Sequence, residues 1–290
     1  MYAAQEYVRE LGGGRLLLDY GPLTLTILAQ KEGNVLREAA LLGAEEALRV
    51  FGQLVGQLDQ AKRFLSKLRT EDDSGFCPVL RKMETAVKAL DDPDFTPMAA
   101  VAGSFSEWIV ERIREETTAD YIVVNNGGDI AFYTPRQERF KIGVMSDICE
   151  RSVETTLVIP KGSPVQGAAT SGFGGRSLSR GIASAVTALA GRCSIADAAA
   201  TAIANAAYTE HESIVTCLAE EVDYATDIRG LTVVRSVGHL DENTKGLALE
   251  NALRKARQLT DKGMIAGCVI YVQGQRAHYP HISKAFSLSE

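Results

Sequence analysis

The sequence has few of the residues that usually mark hydrolytic sites. Only four histidines occur in its 290 residues, and none of them stands in an H-x-x-x-H pattern. No G-x-S-x-G segment is present, and the glycine-rich stretch Gly167–Gly175 lacks the lysine that follows the glycines of a P-loop. Support for metalloprotease, serine-hydrolase and P-loop chemistry is therefore missing.

Cysteine is also sparse. The five cysteines are single and odd in number, without a C-x-x-C pair, so neither a zinc site nor a disulfide framework is indicated. We expect buried free thiols in a reducing compartment. Met1–Glu10 holds charged residues and no long apolar run follows, so no signal peptide is predicted and we expect a cytoplasmic protein.

An excess of positive charge and a long apolar run are both absent. The 31 basic and 37 acidic residues give a net charge of −6, which provides no basic footprint for nucleic acid. The longest apolar stretch near the C-terminus, Met264–Val272, is far too short to span a bilayer. An anionic ligand would have to be held by local amides or a metal.

Hydrophobic patterning predicts an α+β fold. A hairpin is expected at Arg15–Asp19 and Leu23–Gln30, followed by one long helix or two helices from Asn34, its possible N-cap, to Leu68. Further helices are expected at Leu80–Leu90, Met98–Glu116, Ser194–Tyr208 and Lys245–Lys262. Further strands are expected at 120–125, 130–133, 140–144, 153–159, 166–170, 183–189, 230–237 and 267–273. Because strands cluster apart from helices, a doubly wound parallel sheet is not expected.

Paired glycines stand between two of these strands, in Asn125-Asn126-Gly127-Gly128-Asp129. Such a turn leaves backbone amides free to face a ligand, with no side chain in the way. It also matches an ordinary Asn-Gly hairpin turn, and both interpretations stay open.

A second segment, Gly167–Gly175, combines glycines with the hydroxyls of Thr170 and Ser171 and with Gly172 at a strand end. This composition suits a phosphate, although a flexible surface loop explains it equally well. The small-residue helix start Thr96–Ser104 likewise suits an anion or close helix packing.

The third segment is the helix at Ser194–Tyr208, in which Asp197 and Thr201 are four residues apart and share one face. A carboxylate and a hydroxyl are hard oxygen ligands suited to Mg²⁺. The alternative is structural: Ser194 and Asp197 also match a capping box that would hold the start of the helix.

Together and in this order, these segments resemble the ApbE superfamily, whose best-known members are Mg²⁺-dependent FAD:protein FMN transferases. Asn125–Asp129 resembles the N-x-G-G-D turn of that family, Ala169–Gly172 its A-T-S-G segment, and Ala196–Thr201 its A-D-x-x-x-T metal helix. A branch from archaea and anaerobic bacteria is more similar still. It shares the P-M-A-A-V-A-G of Pro97–Gly103 and the S-I-A-D-A-A-A-T-A-I-A-N of Ser194–Asn205.

The resemblance implies two T-fold-like halves with antiparallel sheets covered by helices. The chain would form one domain over 1–290, or two subdomains of about 1–145 and 146–290, and a homodimer is one expected form. Asp197, Thr201 and the carbonyl of Ala102 would be the metal ligands. The cofactor-binding residues would be Asn125, Gly127, Gly128, Asp129, Thr170, Ser171 and Gly172. The implied cofactors are Mg²⁺ and FAD or another flavin, and no residue is assigned a catalytic role.

Two departures from the transferases affect the expected activity. Ala100–Gly103 lacks the lysine of G-I-A-K-G, and Arg176–Gly181 stands in place of H-I-x-D-P, so neither a lysine nor a histidine is available. We therefore expect a flavin- or diphosphate-binding protein without standard transferase activity. The resemblance links it to reductive sulfur assimilation, in which homocysteine forms alongside a ferredoxin-like partner. The alternatives are an FMN transferase or FAD pyrophosphatase that uses the metal alone, and a non-catalytic assembly subunit.

Overall fold

The computed structural model describes residues 4–67, 75–147 and 153–289. Its helices are α1 (Arg37–Val55), α2 (Leu58–Ala61), α3 (Pro78–Leu90), α4 (Val101–Glu116), α5 (Cys193–Ala206), α6 (Ala219–Val222) and α7 (Glu242–Asp261). Its strands are β1 (Val8–Leu11), β2 (Arg15–Tyr20), β3 (Leu23–Lys31), β4 (Asn34–Val35), β5 (Tyr121–Asn126), β6 (Asp129–Tyr133), β7 (Arg139–Met145), β8 (Val153–Pro160), β9 (Gly167–Ser171), β10 (Ala185–Ala190), β11 (Ile214–Leu218), β12 (Thr232–Val237), β13 (Gly267–Val272), β14 (Gln275–Tyr279) and β15 (Ser287–Ser289).

One large antiparallel sheet organises the molecule. Its strands follow the order β1-β2-β3-β5-β6-β9-β10-β13-β14, and β4 pairs with β3 beside that path. A three-stranded sheet, β15-β8-β7, and a two-stranded ribbon, β11-β12, complete the strand pairing in the described residues. The α+β class with antiparallel sheets and covering helices is thereby confirmed.

Burial patterns explain how the layers stack. Strand β3 alternates between buried and half-buried residues along most of its length, because one face packs against helices α1 and α4. By contrast, β10 and β13 are buried on both faces. Helices α5 and α7 cover one face of these strands and the β7–β8 sheet covers the other. Strands that are buried on both faces have sequences that are continuous apolar runs.

Most of the expected elements are confirmed, and the differences have local causes. Asn34 does not cap a helix, since it lies in β4 and α1 begins at Arg37 without a side-chain cap. The polar stretch that follows Gln273 forms strand β14. The short strands β1, β11 and β15 were not predicted from the sequence. Leu68 and Cys149 lie outside the described residues, and the division into subdomains near residue 145 stays a prediction.

Two broader expectations can be compared with the described residues. The four cysteines among them are free, and three of these, Cys77, Cys193 and Cys268, are buried. None of the helices in the described ranges combines the length and the apolar character needed to cross a bilayer.

Candidate functional site

The paired glycines form the tight turn between β5 and β6. Gly127 and Gly128 have φ values of 65° and 111°, in the region that favours glycine, and Asn126 pairs with Asp129 across the turn. The side-chain oxygen of Asn125 accepts a hydrogen bond from the Gly128 amide at 2.9 Å. The segment is therefore a hairpin turn in which Asn125 has a structural role.

Asp129 connects this turn to the second segment. Its Oδ1 accepts a hydrogen bond from the Thr170 amide at 3.0 Å, and its backbone carbonyl accepts one from the Ser106 hydroxyl at 2.8 Å. The hydroxyl of Thr170 lies 2.8 Å from that of Thr187 on the neighbouring strand. Asp129 thus lies among β6, β9 and helix α4.

Asp197 connects the alanine-rich helix α5 to α4. Its Oδ2 accepts a hydrogen bond from the Gly103 amide at 2.8 Å, in the first turn of α4. The N-cap position of α4, Ala100, has no side-chain cap of its own. Asp197 therefore caps α4, and the predicted capping box of Ser194 and Asp197 within α5 is wrong.

Glu107 of α4 caps the start of α5 in return. Its Oε2 accepts hydrogen bonds from the Ser194 amide at 3.0 Å and the Ser194 hydroxyl at 2.7 Å. Its Oε1 accepts from Lys82 at 2.8 Å and from Arg192 at 3.0 Å. The two helices thus exchange carboxylate caps, which the short-range sequence pattern could not reveal because each cap comes from a distant residue.

Close helix packing makes this exchange possible. A Cβ on Gly103 would lie 2.7 Å from the Cβ of Asp197 and would also meet the carbonyl of Cys193. Eight of the twelve residues from Ala196 to Ala207 are alanine, so α5 presents little bulk to its neighbours. Among the small residues at Thr96–Ser104, Gly103 therefore serves helix packing.

The remaining predicted residues are held by contacts within the chain. The Thr201 hydroxyl donates to the Ser171 hydroxyl at 3.4 Å, and the side-chain amide of Asn126 donates to the Ala102 carbonyl at 3.4 Å. Gly172 is buried, and a Cβ there would lie 2.7 Å from the Ser184 carbonyl. The lack of a side chain at Gly172 is thus already explained by packing within the chain.

Asp129 and Asp197 share an unusual electrostatic environment. Burial raises the pKa of Asp129 well above its ordinary value, and the nearby charge of Asp197 raises it further, whereas the Thr170 amide opposes the shift. Burial likewise raises the pKa of Asp197 to about 7, against the amides of Gly103 and Ala102. Within the described part of the chain, no lysine or arginine contributes to either pKa.

The pKa of Glu107, on α4, is shifted in the opposite direction. Burial would raise its pKa, but the charge and hydrogen bond of Lys82, the charge of Arg192 and the Ser194 hydroxyl together lower it below the ordinary value. Glu107 is therefore a compensated structural carboxylate, whereas Asp129 and Asp197 form an uncompensated pair.

Arg176 also lies at this site, although the sequence analysis did not assign it a role there. One of its terminal nitrogens lies 4.0 Å from the position that a Cβ on Gly127 would occupy. The side chain is exposed and has no ion-pair or hydrogen-bond partner among the described residues. Its place in the glycine-rich loop, four residues after Gly172, was the available signal.

The residue types at the site can be tested against the implied divalent cation. Among the described residues, no group of three or more histidine, cysteine, aspartate and glutamate side chains is placed to hold a metal. Mg²⁺, however, commonly binds through one or two carboxylates and completes its shell with water and phosphate oxygens. Two uncompensated carboxylates beside hydroxyls and a helix-end carbonyl fit such a cation.

Comparison with known proteins identifies the family. A family model described as "AbpE bacteria" matches residues 7–278. The chain belongs to this family, and the resemblance to the ApbE superfamily is confirmed.

The curated relatives are archaeal proteins named UPF0280. One from Methanothrix thermoacetophila is 37% identical over 138 residues, which cover 46% of this chain and 56% of the relative. One from Methanosphaerula palustris is 42% identical over 110 residues, covering 38% of this chain and 45% of the relative. One from Methanothermobacter thermautotrophicus is 30% identical over 190 residues, covering 64% and 72%. The chain thus spans about half of the length of the first two relatives.

Solved structures of ApbE proteins show a more distant similarity. The flavin transferase ApbE from Vibrio cholerae is 13% identical, with a TM-score of 0.45, covering 94% of this chain and 97% of that one. The apo flavinyl transferase ApbE from Pseudomonas stutzeri is 11% identical, with a TM-score of 0.46, covering 97% and 94%. At these values the similarity is too low to support an argument.

Proposed function

We propose that the chain binds a flavin, or another ligand containing a diphosphate, together with a divalent cation next to Asp129 and Asp197. The supporting observation is the pair of buried carboxylates that no cationic side chain offsets within the described residues. Two neighbouring carboxylates in a dry site cannot both ionise without cost unless a cation neutralises them. A divalent cation is the simplest group that meets this need.

The proposed cation ligands are Asp197, Thr201 and the carbonyl of Ala102, with Asp129 as a further candidate from the geometry. When bound, the cation supplies positive charge that offsets the carboxylates and attracts phosphate oxygens. Asp129 already accepts one amide through Oδ1, and its Oδ2 has no hydrogen-bond partner among the described residues. That oxygen is therefore available to a ligand.

The anionic part of the ligand would contact the two loops beside the carboxylates. The backbone at Gly127 lies in a turn without side chains, and Thr170 and Ser171 offer hydroxyls. The guanidinium group of Arg176 lies near Gly127. It would supply positive charge to the anionic part of the ligand. Arginine is well suited to this role because its planar group can donate two hydrogen bonds to one phosphate.

A fluorescence titration tests this proposal. FAD is titrated into the full chain with and without Mg²⁺, and the expected result is quenching that requires Mg²⁺ and disappears in Asp197→Ala. Asp261→Ala, which removes an exposed aspartate from the end of α7, is the matched control and should bind like the wild type. Quenching that is equal in Asp197→Ala and the wild type would contradict the proposal, as would a complete lack of binding.

The same preparation separates the alternatives. Moving FMN onto a protein hydroxyl needs a base or a metal to activate the nucleophile, and the chain lacks the lysine and histidine of the transferases. Release of FMN or AMP from FAD and Mg²⁺ would support an FMN transferase or FAD pyrophosphatase, and no turnover would eliminate both. A non-catalytic assembly subunit would show no flavin quenching and a stable complex with another protein.

Other predictions stay open to experiment. The link to reductive sulfur assimilation and the ferredoxin-like partner follow from the resemblance alone. The homodimer can be checked by light scattering on the purified chain.

A further inference from the structure

A second cleft lies at the C-terminal end of α5, away from the carboxylate pair. Its cavity of about 420 Å³ is bounded by that helix end, by Arg180, by the β11–β12 ribbon and by α7. Eight residues separate Asn205 in this cleft from Asp197, which corresponds to about 12 Å along a helix. The volume falls within the range of about 300–1,000 Å³ that is usual for ligand pockets.

Several residues that line this cleft carry polar groups without a partner among the described residues. Within the described residues, the ammonium group of Lys255 forms no ion pair or hydrogen bond. The same is true of the hydroxyls of Tyr208, Thr216 and Thr232. Asn205 uses its side-chain oxygen to accept the Arg180 amide at 2.9 Å, which leaves its NH₂ group free. The residues that carry these groups all line one cavity, and a small number of polar groups around a cavity is usual for a ligand site.

Another cleft of similar volume, about 470 Å³ near the end of α1, shows the contrast. There the side chain of Gln57 bonds the Gly75 carbonyl and the Cys77 amide at 2.9 and 2.8 Å. Arg49 is held by Glu46 at 2.7 Å. Because its main polar groups already bond within the protein, that cleft does not point to a ligand.

The charges of the α5 cleft indicate what could bind. Arg180 is paired with Asp94 at 3.0 Å, so Lys255 provides the uncompensated positive charge and Asp92 an opposing carboxylate. Nitrogen and hydroxyl donors outnumber this single carboxylate, which favours a ligand rich in acceptors. A phosphate group could accept from Lys255, Asn205 and Tyr208, and ligand hydroxyls could donate to Asp92.

A helix C-terminus ordinarily repels anions because its last carbonyls are free. Here two of those carbonyls are bonded within the chain, since that of Ala204 accepts the Ala207 amide at 3.2 Å and that of Ala206 accepts the Tyr208 amide at 2.8 Å. The carbonyl of Ala207, directly after the helix, accepts the Ile182 amide at 2.8 Å. The end of α5 should therefore repel a phosphate less strongly than a helix end whose carbonyls are all free.

We infer that this cleft is a second binding site, separate from the carboxylate pair, for a small phosphate monoester that also carries hydroxyl groups, the class of the sugar phosphates. Lys255 holds the phosphate, Asn205 and Tyr208 orient it, and Asp92 accepts hydroxyls from the sugar part. Tyr208 and Ala206 supply apolar surface beside these polar groups.

Calorimetric titration of the full chain without divalent cations tests this site, with ribose 5-phosphate, inorganic phosphate and ribose as separate probes. We expect ribose 5-phosphate to bind most tightly, inorganic phosphate more weakly and ribose not measurably. Lys255→Met keeps the apolar stem of the side chain and should weaken binding of ribose 5-phosphate at least tenfold. Lys262→Met, at an exposed position following α7, is the matched control and should bind like the wild type.

A further variant makes the result decisive. Tyr208→Phe keeps the ring, removes the hydroxyl and should weaken binding severalfold. Equal binding by Lys255→Met and the wild type would overturn the inference, and so would a lack of binding by ribose 5-phosphate.

Discussion

Helices α4 and α5 carry two carboxylate sites that look alike and behave in opposite ways. Glu107 of α4 caps α5, and Asp197 of α5 caps α4. Lys82 and Arg192 surround Glu107, and its pKa is lowered. Asp197 instead lies near enough to Asp129 for its charge to raise the pKa of Asp129, and burial raises the pKa of both carboxyls. Glu107 and Asp197 both cap a helix, but only Glu107 has cationic side chains among the described residues that offset its charge.

This difference distinguishes a carboxylate with a structural role from carboxylates that are candidates for a functional role. A buried carboxylate with well-placed cationic and hydroxyl partners is held firmly in one arrangement, and removal of either partner is costly. A buried pair without such partners destabilises the chain on its own and is typical of sites that bind or react. The predictions below test whether the two sites really differ in this way.

The largest effect is expected for Glu107→Ala. Lys82 is only 13% exposed, and the Ser194 amide would lose its cap, so the free energy of unfolding should fall by about 3–5 kcal/mol. Chemical denaturation measures this change. Glu111→Ala, which removes the more exposed partner of Lys82, should cost less than about 1 kcal/mol. Equal losses in both variants would show that Glu107 has no special role.

A smaller loss is expected for Gly103→Ala. The added Cβ would press on Asp197 and on the Cys193 backbone, which cannot move aside like a flexible side chain. The expected cost is about 1–3 kcal/mol, together with weaker Mg²⁺-dependent binding of FAD. The control is Gly52→Ala in α1, where the new Cβ meets open space and should stabilise by about 0.5–1 kcal/mol. Gly103→Ala with full stability and binding would contradict close packing at this point.

Asp129→Asn, unlike Glu107→Ala and Gly103→Ala, should raise the free energy of unfolding. A raised carboxyl pKa means that the folded chain binds more protons than the unfolded chain, so stability falls as pH rises from about 4 to about 7, the window set for Asp197. Removal of one charge should therefore stabilise the cation-free chain at pH 8, by on the order of 1 kcal/mol, and by less at pH 5. Denaturation in the presence of a chelator at both pH values measures the difference. A variant that is less stable than the wild type at pH 8 would refute the uncompensated pair.

The smallest effects concern two serines of α4. The hydroxyl of Ser104 is buried without a hydrogen-bond partner among the described residues, so Ser104→Ala should change the free energy of unfolding by less than about 0.5 kcal/mol. Ser106→Ala loses the bond to the Asp129 carbonyl and should cost about 1 kcal/mol. Thermal denaturation of both variants makes the comparison. A larger loss for Ser104→Ala would reveal a partner for its hydroxyl.

The sequence predicted much of the fold because most elements have a strong local pattern. The alternation of β3 and the alanine content of α5 are signals of this kind. Strand β14 was missed because it carries polar residues and is only partly buried. The order of the motifs indicated that the segments of Asp129, Thr170 and Asp197 belong to one site.

What the sequence could not predict was the partner of each polar group at the site. Ser194 and Asp197 fit a local capping box, yet each bonds to a residue about ninety positions away. Glu107 carried no motif at all. Tertiary contacts overrode the local pattern here, because helix ends that lie this close can satisfy one another.

The exchange of caps also links distant parts of the chain by hydrogen bonds. Glu107 comes from the first half of the sequence and Asp197 from the second, and each completes a helix that the other half supplies. A fragment that ends near residue 145 would leave α4 without its carboxylate cap, and the complementary fragment would leave α5 in the same state. Neither stretch holds all of its own hydrogen-bond partners, so the core should assemble and come apart as a whole.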